Sequence, residues 1–271
     1  MRRDEIHDLK IWFDGYVKNF YSDNQECQAA VIFKEKHTAR VCRNIIRIGE
    51  YLKLEEGDLN LAQAVALFHD IGRFRQYQVY GTFNDRRSES HALIGVRELE
   101  GTGVLEGLGP EESNLIKLAV GYHSSFDLPE DLSGRLLLFT RLIRDADKLD
   151  ILDTFTGYYT RTDRQPDTVL ESGLPDTPGY SRVLAQNLLQ RELCSYHEVK
   201  NFNDRKLLLL SWVYDINFRH TFSEILENSY IEKIISCLPD TQEIQAIKNC
   251  LMEYATGRLS DQPNDMVGIQ N

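Results

Sequence analysis

The spacing of apolar residues along the chain predicts a succession of helices. From Gln25 to about Leu54 apolar side chains recur every three or four positions, as they do on one face of a helix. The same periodicity or a compact apolar run marks residues 5–21, 61–68, 112–123 and 135–152, and helical patterns resume at Arg182 and continue to Tyr254. No segment shows the sustained alternation of a half-buried strand. The pattern therefore predicts an all-α fold.

Two of the predicted helices place polar side chains where apolar ones are expected. His37 lies four residues after Phe33 and four before Val41, on the apolar face of its helix. A core histidine bonded to a backbone carbonyl would explain His37 alone. The alanine-rich run from Leu61 to Phe68 ends in the pair His69-Asp70, and we expect the helix to break at Gly72. Burying such a pair costs several kcal/mol unless a partner binds it, and imidazole and carboxylate together suit a divalent metal.

Three later helices repeat this arrangement. Ser88 or Ser90 is placed to cap a helix that begins near His91, after a predicted loop over residues 76–90. The next predicted helix ends at His123. In residues 135–152 Asp147 shares a face with apolar side chains, whereas Asp145 lies further from that face. Pairing of Asp147 with a neighbouring basic residue is the alternative to a ligand role.

These inward-facing polar residues form one set: His37, His69, Asp70, His91, His123 and Asp147. Tens of residues separate its members, so only the packing of helices can bring them together. One metal centre explains the whole set more economically than six separate structural roles.

The composition of the chain limits which binding partners and which cellular compartment are expected for the protein. The 271 residues carry a formal net charge of −11, which argues against a nucleic-acid duplex or an anionic membrane as the main partner. The five cysteines form no CxxC pair, as expected for reduced thiols. The charged start of the chain resembles no signal peptide, and no apolar run is long enough to span a bilayer. We expect a cytoplasmic protein.

The candidate residues stand in motifs that resemble the HD superfamily of metal-dependent phosphohydrolases, over roughly residues 25–155. The matching motifs are EKHTARV around His37, FHDIGRF around His69-Asp70, and RDADKLD around Asp147. The resemblance implies that these four residues bind a divalent metal. It also implies that His91 and His123 either complete a binuclear site or act on substrate beside a single ion.

The pattern along the chain also predicts a domain arrangement. Residues 1–159 would form the HD-type helical core with an N-terminal helix, and residues 160–181, rich in Asp, Thr, Pro and Gly, would form a loop or lid. Residues 182–271 would form a helical extension that packs on the core or on a second subunit in a homodimer.

The implied activity is hydrolysis of a nucleotide or other small phosphorylated metabolite, with one or two Mn, Ni, Co, Mg, Zn or Fe ions activating water. Asp70 is placed to bridge two ions, and His91 or His123 to act as acid or base. Arg73, one turn past the HD pair, and Lys148, beside Asp147, are candidates for binding phosphate. Two alternatives remain: a di-iron oxygenase of the same superfamily, and a metal-binding sensory or regulatory domain.

Overall fold

The computed structural model describes residues 1–163, 167–171 and 173–260, and no strand occurs within these ranges. The predicted all-α fold is confirmed. The chain forms two compact units, one over Met1–Asp147 and one that begins at Lys148. The predicted domain boundaries at residues 159 and 181 stay predictions.

The first unit is built from consecutive α-helices that follow the apolar pattern closely. They are α1 (Arg3–Lys18), α2 (Gln25–Tyr51), α3 (Glu56–Phe68), α4 (Ile71–Tyr80), α5 (His91–Thr102), α6 (Pro110–Tyr122) and the first part of α7 (Gly134–Tyr159). A short 3-10 helix, Asp85–Arg87, lies between α4 and α5.

Helix α3 is the centre of this unit. Every residue from Leu61 to Phe68 except Gln63 is buried, and the helix packs against α1, α2 and α6. The Phe68 ring makes edge contacts with Trp12 and Phe13 of α1. Burying a phenylalanine of this kind contributes about 1.5–3 kcal/mol. The end of α3 is thereby held rigidly in the core.

The chain turns between α3 and α4 at His69-Asp70, two residues earlier than predicted. Asp70 adopts a bridge conformation (φ −107°, ψ 16°) and starts α4, in which Gly72 is an ordinary helical position. A Cβ on Gly72 would lie 2.1 Å from the carbonyl oxygen of His91 and 2.5 Å from the nitrogen of Gly95. Glycine is therefore required here because α4 and α5 touch backbone to backbone, and not because the helix ends.

The predicted loop over residues 76–90 was wrong in its first part, because α4 continues to Tyr80. Gly81, in the left-handed region (φ 64°), ends the helix. The buried amide of Gln76 donates to Asp85, Ser88 and the carbonyl of Glu89. These tertiary bonds hold a polar segment in helical form, which local composition did not indicate.

The second unit contains the rest of α7 and further α-helices. These are α8 (Thr168–Glu171), α9 (Arg182–Gln190), α10 (Phe202–Ser211), α11 (Arg219–Glu227), α12 (Tyr230–Ile235) and α13 (Gln242–Ser260). Helix α9 packs on α10 and α13, and α11 packs on α12 and α13. In the described ranges, no helix is long and apolar enough to cross a membrane.

Candidate metal centre

The fold of the first unit gathers the predicted ligands into two buried triads that share one carboxylate. One triad is His37, His69 and Asp70, and the other is Asp70, His91 and His123; in each, the potential ligand atoms lie within 4.8 Å of one another. We call them the His37 half and the His91 half of the centre.

Helix ends orient one histidine in each half. His69 directly follows α3 and His123 directly follows α6. Each ring donates from Nδ1 to the carbonyl oxygen three residues earlier, of Ala66 and Val120, at 2.7 Å. Such a bond fixes the tautomer, so both rings turn an unprotonated Nε2 toward the centre.

The two histidines of each half face one another through Nε2 atoms. The distance is 3.2 Å between His37 and His69 and 3.0 Å between His91 and His123. Burial lowers the pKa of His91, with Arg73 adding to the effect, and burial lowers the pKa of His123 to about 3. In the His91 half, both rings are neutral and donate from Nδ1, so their Nε2 lone pairs oppose one another and repel unless a cation lies between them. Imidazole ligands about 2.0–2.1 Å from one tetrahedral ion stand ~3.4 Å apart, close to the spacing seen here.

Asp70 divides its two oxygens between the halves. Oδ2 lies 3.4 Å from Nε2 of His37 and 3.6 Å from that of His69, whereas Oδ1 lies 3.4 Å from His91 and 3.9 Å from His123. Burial favours the neutral acid, but Lys34 and the surrounding histidines hold the pKa of Asp70 well below its usual range. The carboxylate is thus ionised and placed to bridge two cations.

Asp147 adds a second carboxylate to the His37 half. Its Oδ1 is 3.1 Å from Nε2 of His37 and 3.8 Å from Nε2 of His69. This buried oxygen has no hydrogen-bond partner, although His37 keeps the pKa of the acid low against the effect of burial. An ionised, orphaned oxygen facing two imidazoles is what a bound metal would satisfy. Asp145 is fully buried, contrary to its predicted position away from the apolar face.

Residues 35–152 match the family model of the HD domain. This segment is an HD domain. Members of this family are mostly metal-dependent hydrolases, and the matched range contains both halves of the centre together with Asp147. Comparison with curated proteins and with solved structures found no significant match.

Asp85 is a neighbour of the HD centre that the sequence analysis missed. Its Oδ2 lies 2.6 Å from Nδ1 of His91, and its Oδ1 accepts from Arg73 at 2.8 Å and from Gln76 at 2.7 Å. These partners overcome the effect of burial and hold the pKa of Asp85 far below its usual value. A carboxylate behind a histidine ligand fixes the ring and strengthens its Nε2 as a donor to metal.

Lys34 is a second missed neighbour. It lies on α2, three residues before His37, and its Nζ is 2.6 Å from Oδ2 of Asp70. The i,i+3 spacing to a candidate ligand was available in the sequence. A lysine on a long helix is so often a surface charge that the spacing alone gave no reason to select it.

The two predicted phosphate-binding residues make protein contacts. Nη1 of Arg73 donates to the carbonyl of Phe83 and to Asp85, and its Nε lies 3.4 Å from Oδ1 of Asp70. Lys148 forms a 2.6 Å ion pair with Asp215 in the second unit. Their roles toward substrate stay predictions.

Arg144 anchors the end of α6 in the HD domain. Its Nη1 donates to the carbonyl oxygen of His123, which directly follows the helix, and to that of Ser125 in the segment beyond it. On the neighbouring α2, Asn44 donates to the carbonyl of Ala146 at 3.1 Å, next to Asp147. Buried polar bonds therefore fix the backbone on which both His123 and Asp147 stand.

Proposed function

We propose that the HD domain of this chain hydrolyses a phosphate ester or anhydride bond in a nucleotide or another small phosphorylated metabolite, using divalent metal ions. The observation that carries the proposal is the pair of buried triads joined by Asp70. Imidazole and carboxylate ligands of this kind suit Mn, Ni, Co, Zn or Fe. Mg is an alternative, although it is a harder cation that prefers oxygen ligands.

The charge of the centre favours an anionic substrate. The carboxylates of Asp70 and Asp147 would neutralise only half the charge of two divalent ions. Lys34 and Arg73 place further positive charge within 3.4 Å of Asp70. A phosphate group brings the negative charge that such a buried cationic centre lacks.

Divalent ions, when bound, polarise phosphoryl oxygens and lower the pKa of water. The protein residues orient the metal ligands and exclude bulk water. Backbone carbonyls and Asp85 hold the histidine rings, and the buried α3–α4 turn keeps bulk water from Asp70. With a single ion in the His37 half, His91 and His123 would instead present neutral Nε2 atoms able to accept a proton from water or return it to a leaving group.

A di-iron oxygenase is the second candidate. The observation that favours it is that each half offers two imidazole nitrogens and one oxygen of a shared carboxylate, a set that also suits iron. The two candidates differ in their need for oxygen. A metal-binding regulatory domain, the third possibility, would bind metal and catalyse neither reaction.

The test starts with protein purified without chelators or metal-affinity chromatography and analysed for metal content. The metal-free protein is then loaded with Mn, Ni, Co or Mg without oxygen, and phosphate release is measured on nucleotides and sugar phosphates. We expect release that is lost in His69→Ala and Asp70→Ala and kept in His7→Ala, an exposed histidine outside the centre. Iron-dependent oxygen consumption without anaerobic phosphate release would replace the proposal with the oxygenase. Metal binding with neither activity would favour the regulatory role.

A further inference from the structure

Lys34 has a position unlike that of an ordinary helix lysine. Its side chain is only 11% exposed and extends from α2 to the shared carboxylate of the centre, at 2.6 Å. Its Nζ also lies 5.5 Å from the centre of the Phe83 ring, in the segment that follows α4. Burying an ammonium group costs free energy unless an anionic group compensates its charge.

The ammonium of Lys34 has more N–H donors than the acceptors that it contacts in the described ranges. It carries three N–H donors, and in the described ranges its hydrogen-bond acceptor is Oδ2 of Asp70. That oxygen is also the one that faces His37 and His69. When it binds a cation, its negative charge is shared, and the attraction that holds the ammonium weakens.

We propose that Lys34 is a substrate-binding residue of the HD centre, which donates from Nζ to an anionic oxygen of the substrate at the His37 half. This inference rests on the proposed function and deepens it. The lysine would supply a fixed positive charge that the metal ligands do not provide, beside the position where a phosphoryl oxygen would bind.

The alternative is a purely structural role, in which Lys34 only neutralises Asp70 while no metal is bound. The two roles predict different changes in Lys34→Met, which keeps the aliphatic stem and removes the charge. Loss of a counter-ion would tighten metal binding and leave substrate binding unchanged. Loss of a substrate contact weakens the binding of phosphate to the metal-loaded protein.

The experiment compares Lys34→Met and Lys34→Arg with Lys36→Met, which removes an exposed lysine from the same helix. Circular dichroism confirms folding, and manganese titration of each metal-free protein measures metal affinity. Calorimetry then measures the binding of inorganic phosphate to the manganese-loaded proteins. Steady-state kinetics on the best substrate complete the comparison.

We expect Lys34→Met to weaken phosphate binding and raise KM by about 10–100-fold, the usual effect of losing a charged hydrogen bond, with a smaller change in kcat. Lys34→Arg should recover most of the affinity, and Lys36→Met should match the unaltered protein. Phosphate binding and KM unchanged in Lys34→Met would overturn the inference even if the unaltered protein hydrolyses phosphate esters.

The two proposals can fail separately. If the unaltered protein binds phosphate through Lys34 but hydrolyses no substrate, the proposed function fails and the anion-binding role stands. If the metal-loaded protein binds no phosphate at all, the Lys34 inference is wrong. Should Lys34→Met fail to fold, Lys34→Ala removes the ammonium in its place, and Lys34→Arg remains the variant that keeps the positive charge.

Discussion

The carboxylate of Asp85 lies 2.6 Å from Nδ1 of His91 and holds the ring whose Nε2 faces His123. The same carboxylate binds Arg73, which also donates to the carbonyl of Phe83. One acidic side chain thus connects the segment between α4 and α5 to the His91 half. The two rings of the His91 half are therefore supported differently, since the His123 ring donates to the backbone carbonyl of Val120.

Asp85→Asn is expected to weaken metal binding in the His91 half by about 10–100-fold, because the neutral amide holds the imidazole less firmly and lowers its basicity. Binding in the His37 half should change little. Titration of the metal-free protein with manganese or cobalt measures both steps. Asp127→Asn, an exposed carboxylate in the loop before α7, is the control. Equal weakening of both steps would contradict the assignment of Asp85 to one half.

Asp70→Ala is expected to impair both halves, whereas His123→Ala should impair one. The reason is that each half uses a different oxygen of Asp70. Metal in hundredfold excess over its Kd stabilises a protein by about 2.7 kcal/mol. Thermal melting with and without manganese therefore measures how much metal binding each variant has lost. Asp70→Ala should show almost no metal-induced rise in Tm, and His123→Ala should keep part of it. An undiminished rise in Asp70→Ala would rule out the bridging role.

Gly72→Ala is expected to destabilise the protein by about 1–3 kcal/mol, because the added methyl would overlap the backbone of α5. It should also weaken metal binding in the His91 half, since His91 provides one of the atoms that must move. Gly101→Ala tests the same substitution in α5 where nothing lies within 4 Å, and should be neutral or stabilise by about 0.5–1 kcal/mol. Urea unfolding compares the two; similar stabilities would contradict the close approach of α4 and α5.

The metal-free protein is expected to lose stability as pH falls from about 6.5. Unfolded histidine titrates near pH 6.5, whereas burial lowers the pKa of His123 to about 3 and also lowers the pKa of His69. Between these values the unfolded chain binds protons that the folded protein does not, so the free energy of unfolding decreases with falling pH. Below about pH 4 the depressed pKa of Asp70 adds to the loss in the same direction.

Urea unfolding at about pH 7.5, 6.5 and 5.5 measures this slope, which is at most ~1.4 kcal/mol per pH unit for each histidine that stays neutral. His123→Phe should show a shallower slope than the unaltered protein, and His7→Ala, at an exposed position, should show the same slope. A stability that does not change between about pH 7 and 5 would contradict the neutral state of the buried rings.

The sequence by itself determined the all-α fold and most of its helices, and it selected the candidate residues of the centre. Apolar periodicity located α2 and placed His37 on its buried face, and the apolar run of α3 ended in a polar pair where burial demands a partner. These features are local: a helix repeats every 3.6 residues, so the buried face of each element can be found from its own residues.

Tertiary structure alone decided which side chains meet across elements. The contacts of Lys34 with Asp70 and of Asp85 with His91, the extension of α4 to Tyr80, and the burial of Asp145 depend on how neighbouring helices pack. No local spacing determines the 2.6 Å between Lys34 and Asp70, which are 36 residues apart. The free energy that selects such contacts comes from packing and desolvation across several helices at once, and a linear pattern does not contain it.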